Sequence, residues 1–140
     1  MILLDTNILT ASKQSNHPDY SKVVARLQQF VTSNEELVIC PQNLYEFFVA
    51  STRPITNRGL GFTQKQALTE IENLKQTYSF LTDPDTLYDE WTNIISAYEV
   101  SGKQGHDARI VAFMKGKGIN KLYTNNVQDF SRYAGIITIV

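Results

Sequence analysis

Three carboxylates in this chain of 140 residues stand apart from its other acids by position. Asp5 directly follows the apolar run Ile2-Leu3-Leu4, Glu46 lies within an apolar helical segment, and Asp107 opens another helical segment. Clustered carboxylates repel one another unless a cation or a proton is bound. Oxygen ligands of this kind suit Mg²⁺ or Mn²⁺, and such ions activate water for attack on a phosphodiester.

A fourth polar group, Asn126 with Asp129, follows the apolar run at residues 121–124. An asparagine is neutral, and its carbonyl oxygen is a weaker metal ligand than a carboxylate. The sequence leaves open which of these two residues completes a site with Asp5, Glu46 and Asp107. It also leaves open whether one metal ion or two would bind.

Each acid of this set also has a purely structural explanation. Asp5 and Asp107 suit helix N-termini, where a side-chain oxygen or a negative charge is favourable. Glu46 could be an exposed helix residue, and Asp129 could belong to a turn. Any one of these explanations is credible alone, but all four together, at these locations, are much less so.

The segments that must position these residues alternate between strands and helices. Short apolar runs predict strands at residues 2–4, 37–40, 121–124 and 136–140, and helical spacing predicts helices at 6–12, 20–31, 42–51, 64–81, 87–98 and 106–115. This alternation predicts a three-layer α/β/α sandwich with a mainly parallel central sheet. Functional crevices of such sheets lie beyond the carboxyl ends of the strands, where these acids would meet.

Apolar spacing also predicts which helix positions are buried. The predicted stripe of the second helix is Tyr20, Val23, Val24, Leu27 and Val31, and that of the fourth is Ala67, Leu68, Ile71, Leu74 and Tyr78. Residues 53–62 contain one proline and two glycines and are typical of a loop.

Composition narrows the classes of protein. The length fits a single domain over residues 1–140. One cysteine, Cys40, excludes an internal disulfide, and with two histidines the chain has too few ligands for a structural zinc site. No apolar run reaches the length of a membrane span, and no basic segment precedes Asp5 as in a signal peptide, so we expect a cytoplasmic protein.

Charge is unevenly distributed along the chain. Residues 1–102 carry 12 acids against 7 Lys and Arg, a net charge of −5, whereas residues 103–140 carry 2 acids against 6, a net charge of +4. A basic segment can attract a polyanion, although a solvated surface is the more common explanation.

Four segments, taken in order, resemble PIN-domain proteins, and specifically the toxin of VapBC-type toxin–antitoxin pairs. They are Leu-Leu-Asp-Thr-Asn at 3–7, Gln-Asn-Leu-Tyr-Glu-Phe at 42–47, His-Asp-Ala at 106–108 and Tyr-Thr-Asn-Asn-Val-Gln-Asp-Phe at 123–130. The resemblance spans nearly the whole chain. It implies the α/β/α fold already inferred and an endoribonuclease that depends on Mg²⁺ or Mn²⁺.

By this resemblance Asp5, Glu46 and Asp107 are metal ligands, and Thr6, Asn7 and Thr124 support them. The chain departs from the family at Asn126, where an aspartate is common. This departure puts a second metal ion in doubt more than the first, and Asp129 could supply the missing charge.

The resemblance also implies partners: an RNA substrate, an antitoxin that threads a C-terminal segment into the acidic groove, and a second copy of the chain in a homodimer. Arg53, Arg58 and Arg109 are candidate contacts to RNA phosphates, although solvated surface charge is the commoner role for any one arginine. His106 is treated as an orienting or structural residue, because metal-activated water needs no histidine base.

Three other functions compete with this one. The first is a PIN nuclease of RNA processing that has no antitoxin. The second is a phosphatase with an aspartyl nucleophile, which would want an acid where Asn7 stands. The third is a non-catalytic PIN module that binds RNA or protein. Asn126 is the only sequence feature that favours this third function.

Overall fold

Five parallel strands form the centre of the fold in the computed structural model, which describes residues 1–140. They are β1 (Ile2–Leu4), β2 (Leu37–Ile39), β3 (Ser79–Phe80), β4 (Lys121–Tyr123) and β5 (Thr138–Ile139). Their order in the sheet is β3-β2-β1-β4-β5, and every neighbouring pair is parallel. The predicted parallel sheet is confirmed, with β1 at its centre.

Seven α-helices cover the two faces of the sheet. They are α1 (Thr6–Ala11), α2 (Tyr20–Thr32), α3 (Pro41–Thr52), α4 (Gln64–Thr77), α5 (Leu87–Ala97), α6 (Gln104–Lys117) and α7 (Val127–Phe130). Single 3₁₀ turns lie at Ile55–Asn57 and Ser131–Tyr133. No helix is both long enough and apolar enough to cross a lipid bilayer.

Two hydrophobic cores lie on opposite faces of the sheet, because successive side chains of a strand point in opposite directions. Leu3 packs in the core formed with α5 and α6, whereas Ile2 and Leu4 pack in the core formed with α1, α2, α3 and α4. β1 is therefore buried on both faces. This explains its purely apolar sequence and confirms the three-layer α/β/α sandwich.

The chain order reverses beside the central strand. From β1 the chain proceeds outward to β2 and β3, and it then returns to place β4 on the other side of β1, with Leu4 beside Tyr123. In open α/β sheets this switch point leaves a crevice beyond the carboxyl ends of the two strands. Asp5 and Thr124, the first residues after β1 and β4, lie at that crevice.

One strand differs from the sequence prediction. The helix predicted over residues 64–81 ends at Thr77, and Ser79–Phe80 form β3 at the edge of the sheet beside β2. The apolar residues Tyr78 and Leu81 continue the helical spacing, which conceals the change. In the structure the Leu81 N–H donates to the Ile39 carbonyl oxygen at 3.0 Å, so pairing with β2 overrides the local pattern.

Some helix details also differ from the predictions. On α2 the buried residues are Val23, Leu27 and Phe30, whereas the predicted Val31 is 62% exposed, and on α4 the predicted Leu68 is 50% exposed. On each helix the prediction therefore included one residue that lies beside the buried row and faces solvent, and on α2 it omitted Phe30.

The sixth helix is longer at both ends than predicted. It begins at Gln104 rather than His106, so Asp107 lies within its first turn, and it continues through Gly116 to Lys117. Gly118 then ends the helix in a left-handed conformation with φ +67°, as glycine does at this position.

Candidate active site

A cavity of about 750 Å³ lies at the switch point. Its walls come from α1, α3, the first turn of α6 and the segment after β4. Its polar lining residues are Asp5, Thr6, Asn7, Thr10, Gln42, Glu46, Arg53, His106, Asp107, Arg109 and Asn126, together with the exposed ring of Tyr45. The structure thus brings the three predicted carboxylates to one cavity.

Asp5 is held firmly at the end of β1. Its side chain is 8% exposed, and its Oδ1 accepts from the Thr6 N–H at 2.6 Å, which also caps α1. Its Oδ2 accepts from Asn7 Nδ2 at 2.7 Å and from Thr124 Oγ1 at 2.6 Å. Asp5 is therefore both a helix cap and a cavity residue, so its structural and functional explanations do not compete.

Burial raises the pKa of the Asp5 carboxyl, and the nearby charge of Glu46 raises it further. The hydrogen bonds from Thr124, Thr6 and Asn7 act in the opposite direction, because they stabilise the ionised form. These donors reduce the cost of keeping a buried carboxylate charged.

The three predicted supporting residues connect the separate elements of the site. Thr6 Oγ1 donates to Glu46 Oε2 at 2.9 Å, which joins the end of β1 to α3. Asn7 Nδ2 also lies 3.1 Å from Thr124 Oγ1, and Asn7 Oδ1 accepts from the Asn125 N–H at 3.1 Å. These contacts fasten the ends of β1 and β4 together across the switch point.

Glu46 is not the exposed helix residue of the structural alternative. Its side chain is partly buried in the cavity wall, and its Oε1 accepts from Gln42 Nε2 at 2.7 Å. With Thr6 on the other oxygen, both carboxylate oxygens have a donor. Glu46 is thus held in one orientation toward the cavity.

Gln42 has a role in the site that the sequence did not predict. It is 6% exposed, and its Nε2 donates to the His106 carbonyl oxygen at 3.0 Å as well as to Glu46. Its Oε1 accepts from Arg109 Nη1 at 3.1 Å. Gln42 thereby joins α3 to the first turn of α6. Its position one helical turn before Glu46 was the available signal, since residues four apart on a helix are neighbours.

Asp107 differs from the other two carboxylates, because it lines the cavity but no group of the protein donates a hydrogen bond to its side chain. Its pKa is raised to about 6, first by burial and then by the charges of Asp129, Asp5 and Glu46, with His106 acting in the opposite direction. An effect of this kind requires that these carboxylates lie close to Asp107.

Both candidates for the fourth position lie near Asp107. Asn126 lines the cavity, and its backbone N–H donates to Thr124 Oγ1 at 2.9 Å. Asp129 is exposed and does not line the cavity, yet its charge contributes to the raised pKa of Asp107. The structure keeps both residues as candidates.

The three predicted arginines have different surroundings. Arg53 is exposed at the cavity rim and has no carboxylate partner. Arg109 also lines the cavity, but its Nη2 forms an ion pair with Asp83 at 2.6 Å in addition to its bond to Gln42. Arg58 is exposed in the loop, at φ +60°, and lies outside the cavity lining.

The side chains of two further residues lie outside this hydrogen-bond network. His106 is exposed at the cavity, and only its backbone oxygen takes part in the network. Cys40 is fully buried, and burial raises the pKa of its thiol to about 11, so it is an inert core residue.

The donor chemistry of the cavity fits a hard divalent cation. Three carboxylates face it and none forms an ion pair with a basic residue of the chain. No three His, Cys, Asp or Glu side chains lie close enough together to enclose an ion by themselves. An open arrangement of this kind suits Mg²⁺, which usually keeps several waters and uses few carboxylates.

Comparison with known proteins identifies the fold. The model of the PIN domain family matches residues 2–136. Among curated proteins, none matches this sequence. The structure of VapBC2 from Rickettsia felis, bound to a DNA fragment from its promoter, is similar, with a TM-score of 0.74 and 18% identity over 100% of this chain and 98% of that chain.

Two further solved structures have the same fold. VapBC-1 from nontypeable Haemophilus influenzae has a TM-score of 0.68 and 23% identity over 100% of this chain and 97% of that chain. VapC20 from Mycobacterium tuberculosis, described as a toxin that cleaves the sarcin-ricin loop, has a TM-score of 0.66 and 15% identity over 98% and 97% of the two chains. At these identities the structures show a shared fold.

The raised pKa of Asp107 predicts how stability depends on pH in metal-free protein. The group's pKa is 3.8 in the unfolded chain and about 6 in the folded one, so its contribution favours folding at low pH and is lost as the pH rises through 6. We expect Asp107→Asn to raise the free energy of unfolding at pH 7.5 by about 1 kcal/mol after allowance for solvent screening.

The measurement is urea denaturation in chelator at pH 4 and pH 7.5, with Asp89→Asn, an exposed aspartate on α5, as the control. The gain from Asp107→Asn should be small at pH 4. An equal or larger gain at pH 4 would contradict the electrostatic explanation.

The position of Gln42 predicts coupling with Glu46. We expect Gln42→Met to lower the free energy of unfolding by about 1–3 kcal/mol, because buried partners lose their hydrogen bonds. Gln76→Met, at an exposed position of α4, should change it by less than about 0.5 kcal/mol. A double-mutant cycle with Glu46→Gln, followed by urea denaturation, measures the coupling free energy between the two residues. Strictly additive effects of the two substitutions would refute the coupling.

Proposed function

The chain belongs to the PIN domain family, and on that premise we propose that it is a divalent-metal-dependent endoribonuclease, the toxin of a type II toxin–antitoxin pair. The observation that carries this proposal is the cavity at the switch point. Three carboxylates face it, burial and neighbouring carboxylates raise the pKa of Asp5 and of Asp107, and no cation of the chain neutralises them. A site of this kind favours a bound metal ion and, through the ion, an anionic substrate.

Asp5, Glu46 and Asp107 would hold Mg²⁺ or Mn²⁺. When bound, the ion offsets the charge of the phosphodiester and lowers the pKa of the attacking water. The groups that donate hydrogen bonds to Asp5 and Glu46 fix the directions of the carboxylate oxygens. Residues around a metal site commonly orient its ligands in this way. Asp107 has no such donor and can adjust its position.

Two residues at the cavity rim suit an RNA backbone. Arg53 is exposed and lacks a carboxylate partner, so its guanidinium is available to a phosphate. Asn126 can donate a hydrogen bond to a phosphate oxygen from its amide nitrogen, which an aspartate at this position could not do. On this proposal Arg58 extends the same contact along the loop, and Arg109 orients Gln42.

The proposed antitoxin would cover this cavity. Beside the carboxylates, the exposed face of α3 presents Tyr45, which is 68% exposed, and Val49, which is 55% exposed. A peptide that carries an arginine between apolar residues would match both features, with the guanidinium on the carboxylates in place of the metal. The homodimer stays a prediction from the family resemblance.

The test is cleavage of a broad RNA pool by purified protein freed of any copurifying partner, with Mn²⁺, Mg²⁺ or chelator. We expect cleavage that requires metal and falls by about 100-fold or more in Asp5→Asn and Asp107→Asn, because each removes a charge from the metal site. Asp85→Asn, an exposed residue outside this cavity, should retain full activity.

Circular dichroism would confirm that all variants fold. Full activity in either Asp5→Asn or Asp107→Asn would refute the assignment of the site. Absence of cleavage by folded, metal-loaded wild-type protein would instead favour a PIN module that binds RNA without cutting it, the alternative that Asn126 supports.

A further inference from the structure

A second cavity, of about 670 Å³, opens at the same edge of the sheet on the other side of the segment after β4. One face of α2 and the ends of β4 and β5 form its walls. Thr124 belongs to its lining and also donates to Asp5 at 2.6 Å. A single residue therefore separates this second cavity from the carboxylates of the active site.

The second cavity is basic where the first is acidic. Lys22 and Arg26, one turn apart on α2, line it, and no Asp or Glu does. Neither cation forms an ion pair with a carboxylate. Asp19 is the acid nearby. Its Oδ2 accepts a long hydrogen bond of 3.5 Å from Asn125 and lies 4.0 Å from His17 Nδ1.

Arg26 is held in place without losing its capacity to bind an anion. Its guanidinium carbon lies 4.5 Å from the centre of the Phe30 ring, and its Nη1 donates to Gln29 Oε1 at 3.1 Å. The other N–H groups of the guanidinium remain without a partner. A pre-oriented guanidinium loses less freedom when it binds a phosphate.

Tyr123, which lines the same cavity, has a buried hydroxyl without a partner. Tyr123 is 4% exposed, its ring packs edge-on against Phe30 with centres 5.4 Å apart, and its hydroxyl has no hydrogen bond within the protein. A buried polar group without a partner is destabilising. Such groups are uncommon in native proteins, and a ligand oxygen would satisfy this one.

We propose that the second cavity binds the part of a single-stranded RNA substrate that flanks the cleaved bond, with Lys22 and Arg26 on a backbone phosphate and the Tyr123 hydroxyl hydrogen-bonded to the same nucleotide. This inference rests on the proposed function. The apolar side chains of Val127 and Ile139 supply a surface for the base. An RNA strand that leaves the active-site cavity over Thr124 enters this basic cavity next.

The test compares cleavage kinetics of wild-type protein with Lys22→Gln/Arg26→Gln over a range of salt concentrations. We expect KM to rise about tenfold with kcat within about twofold, since both side chains would bind the RNA away from the cleaved bond. The slope of log KM against log salt should fall by about 0.7 for each phosphate of a single strand that the variant no longer binds. The double variant Lys65→Gln/Lys117→Gln removes the same number of positive charges from other parts of the surface. It should leave KM and the salt slope unchanged.

Tyr123→Phe separates a binding role from a structural one. The ring packing is retained and an unpartnered hydroxyl is removed, so the free energy of unfolding should stay equal or increase. We nevertheless expect KM to rise several-fold. A fall in stability with unchanged KM would assign the hydroxyl to the fold alone and overturn its part in binding.

The outcomes distinguish this inference from the function on which it rests. If wild-type protein cleaves RNA and Lys22→Gln/Arg26→Gln has wild-type KM and salt slope, the second cavity is not part of the substrate path, although the nuclease stands. If wild-type protein does not cleave, both proposals fail. A rise in KM that disappears with RNA shortened on one side of the cleaved bond would support the inference and identify the side that the cavity binds.

Discussion

The repulsion between carboxylates at one edge of the sheet is the constraint on which the site depends. Asp5, Glu46 and Asp107 come from separate elements, yet they face one cavity. The charge of Glu46 helps to raise the pKa of Asp5, and the charges of Asp5 and Glu46 help to raise that of Asp107. Without a cation, the protein meets this cost partly through hydrogen bonds and partly through a higher affinity of Asp107 for a proton. The same cost makes the cavity selective for cations, so the feature that destabilises the metal-free fold is the one that serves its proposed chemistry.

The hydrogen-bond network determines which carboxylates are rigid. Asp5 and Glu46 are fixed by donors from α1, α3 and the segment after β4. Gln42 extends this network to Arg109 and to the first turn of α6. No donor contacts the Asp107 side chain, so two fixed carboxylates and one that is not fixed by hydrogen bonds surround the crevice. Such an arrangement can accept an ion together with water and a substrate phosphate.

The sequence predicted the parts of the fold that strong local patterns encode. An apolar run that ends in Asp5 is enough to predict a central strand with an acid at its carboxyl end. The edge strand β3 could not be predicted, because Tyr78 and Leu81 extend the helical spacing and only the long-range pairing with Ile39 reveals the strand. Within the site the carboxylates were predicted, whereas the role of Gln42 depends on contacts with α6, which no local pattern encodes. The second cavity was missed for the same reason, since α2, β4 and β5 meet only in the folded chain.

The most direct test of the central claim is binding of Mn²⁺ to metal-free protein, measured as the rise in unfolding temperature with increasing Mn²⁺. A ligand that binds only the folded state stabilises it by an amount that grows with the logarithm of the ligand concentration relative to Kd. If Asp5, Glu46 and Asp107 hold the ion, Mn²⁺ should raise the unfolding temperature of wild-type protein and of Asp85→Asn, and the rise should disappear in Glu46→Gln. An equal rise in wild-type protein and Glu46→Gln would show that the ion binds elsewhere and would contradict the account.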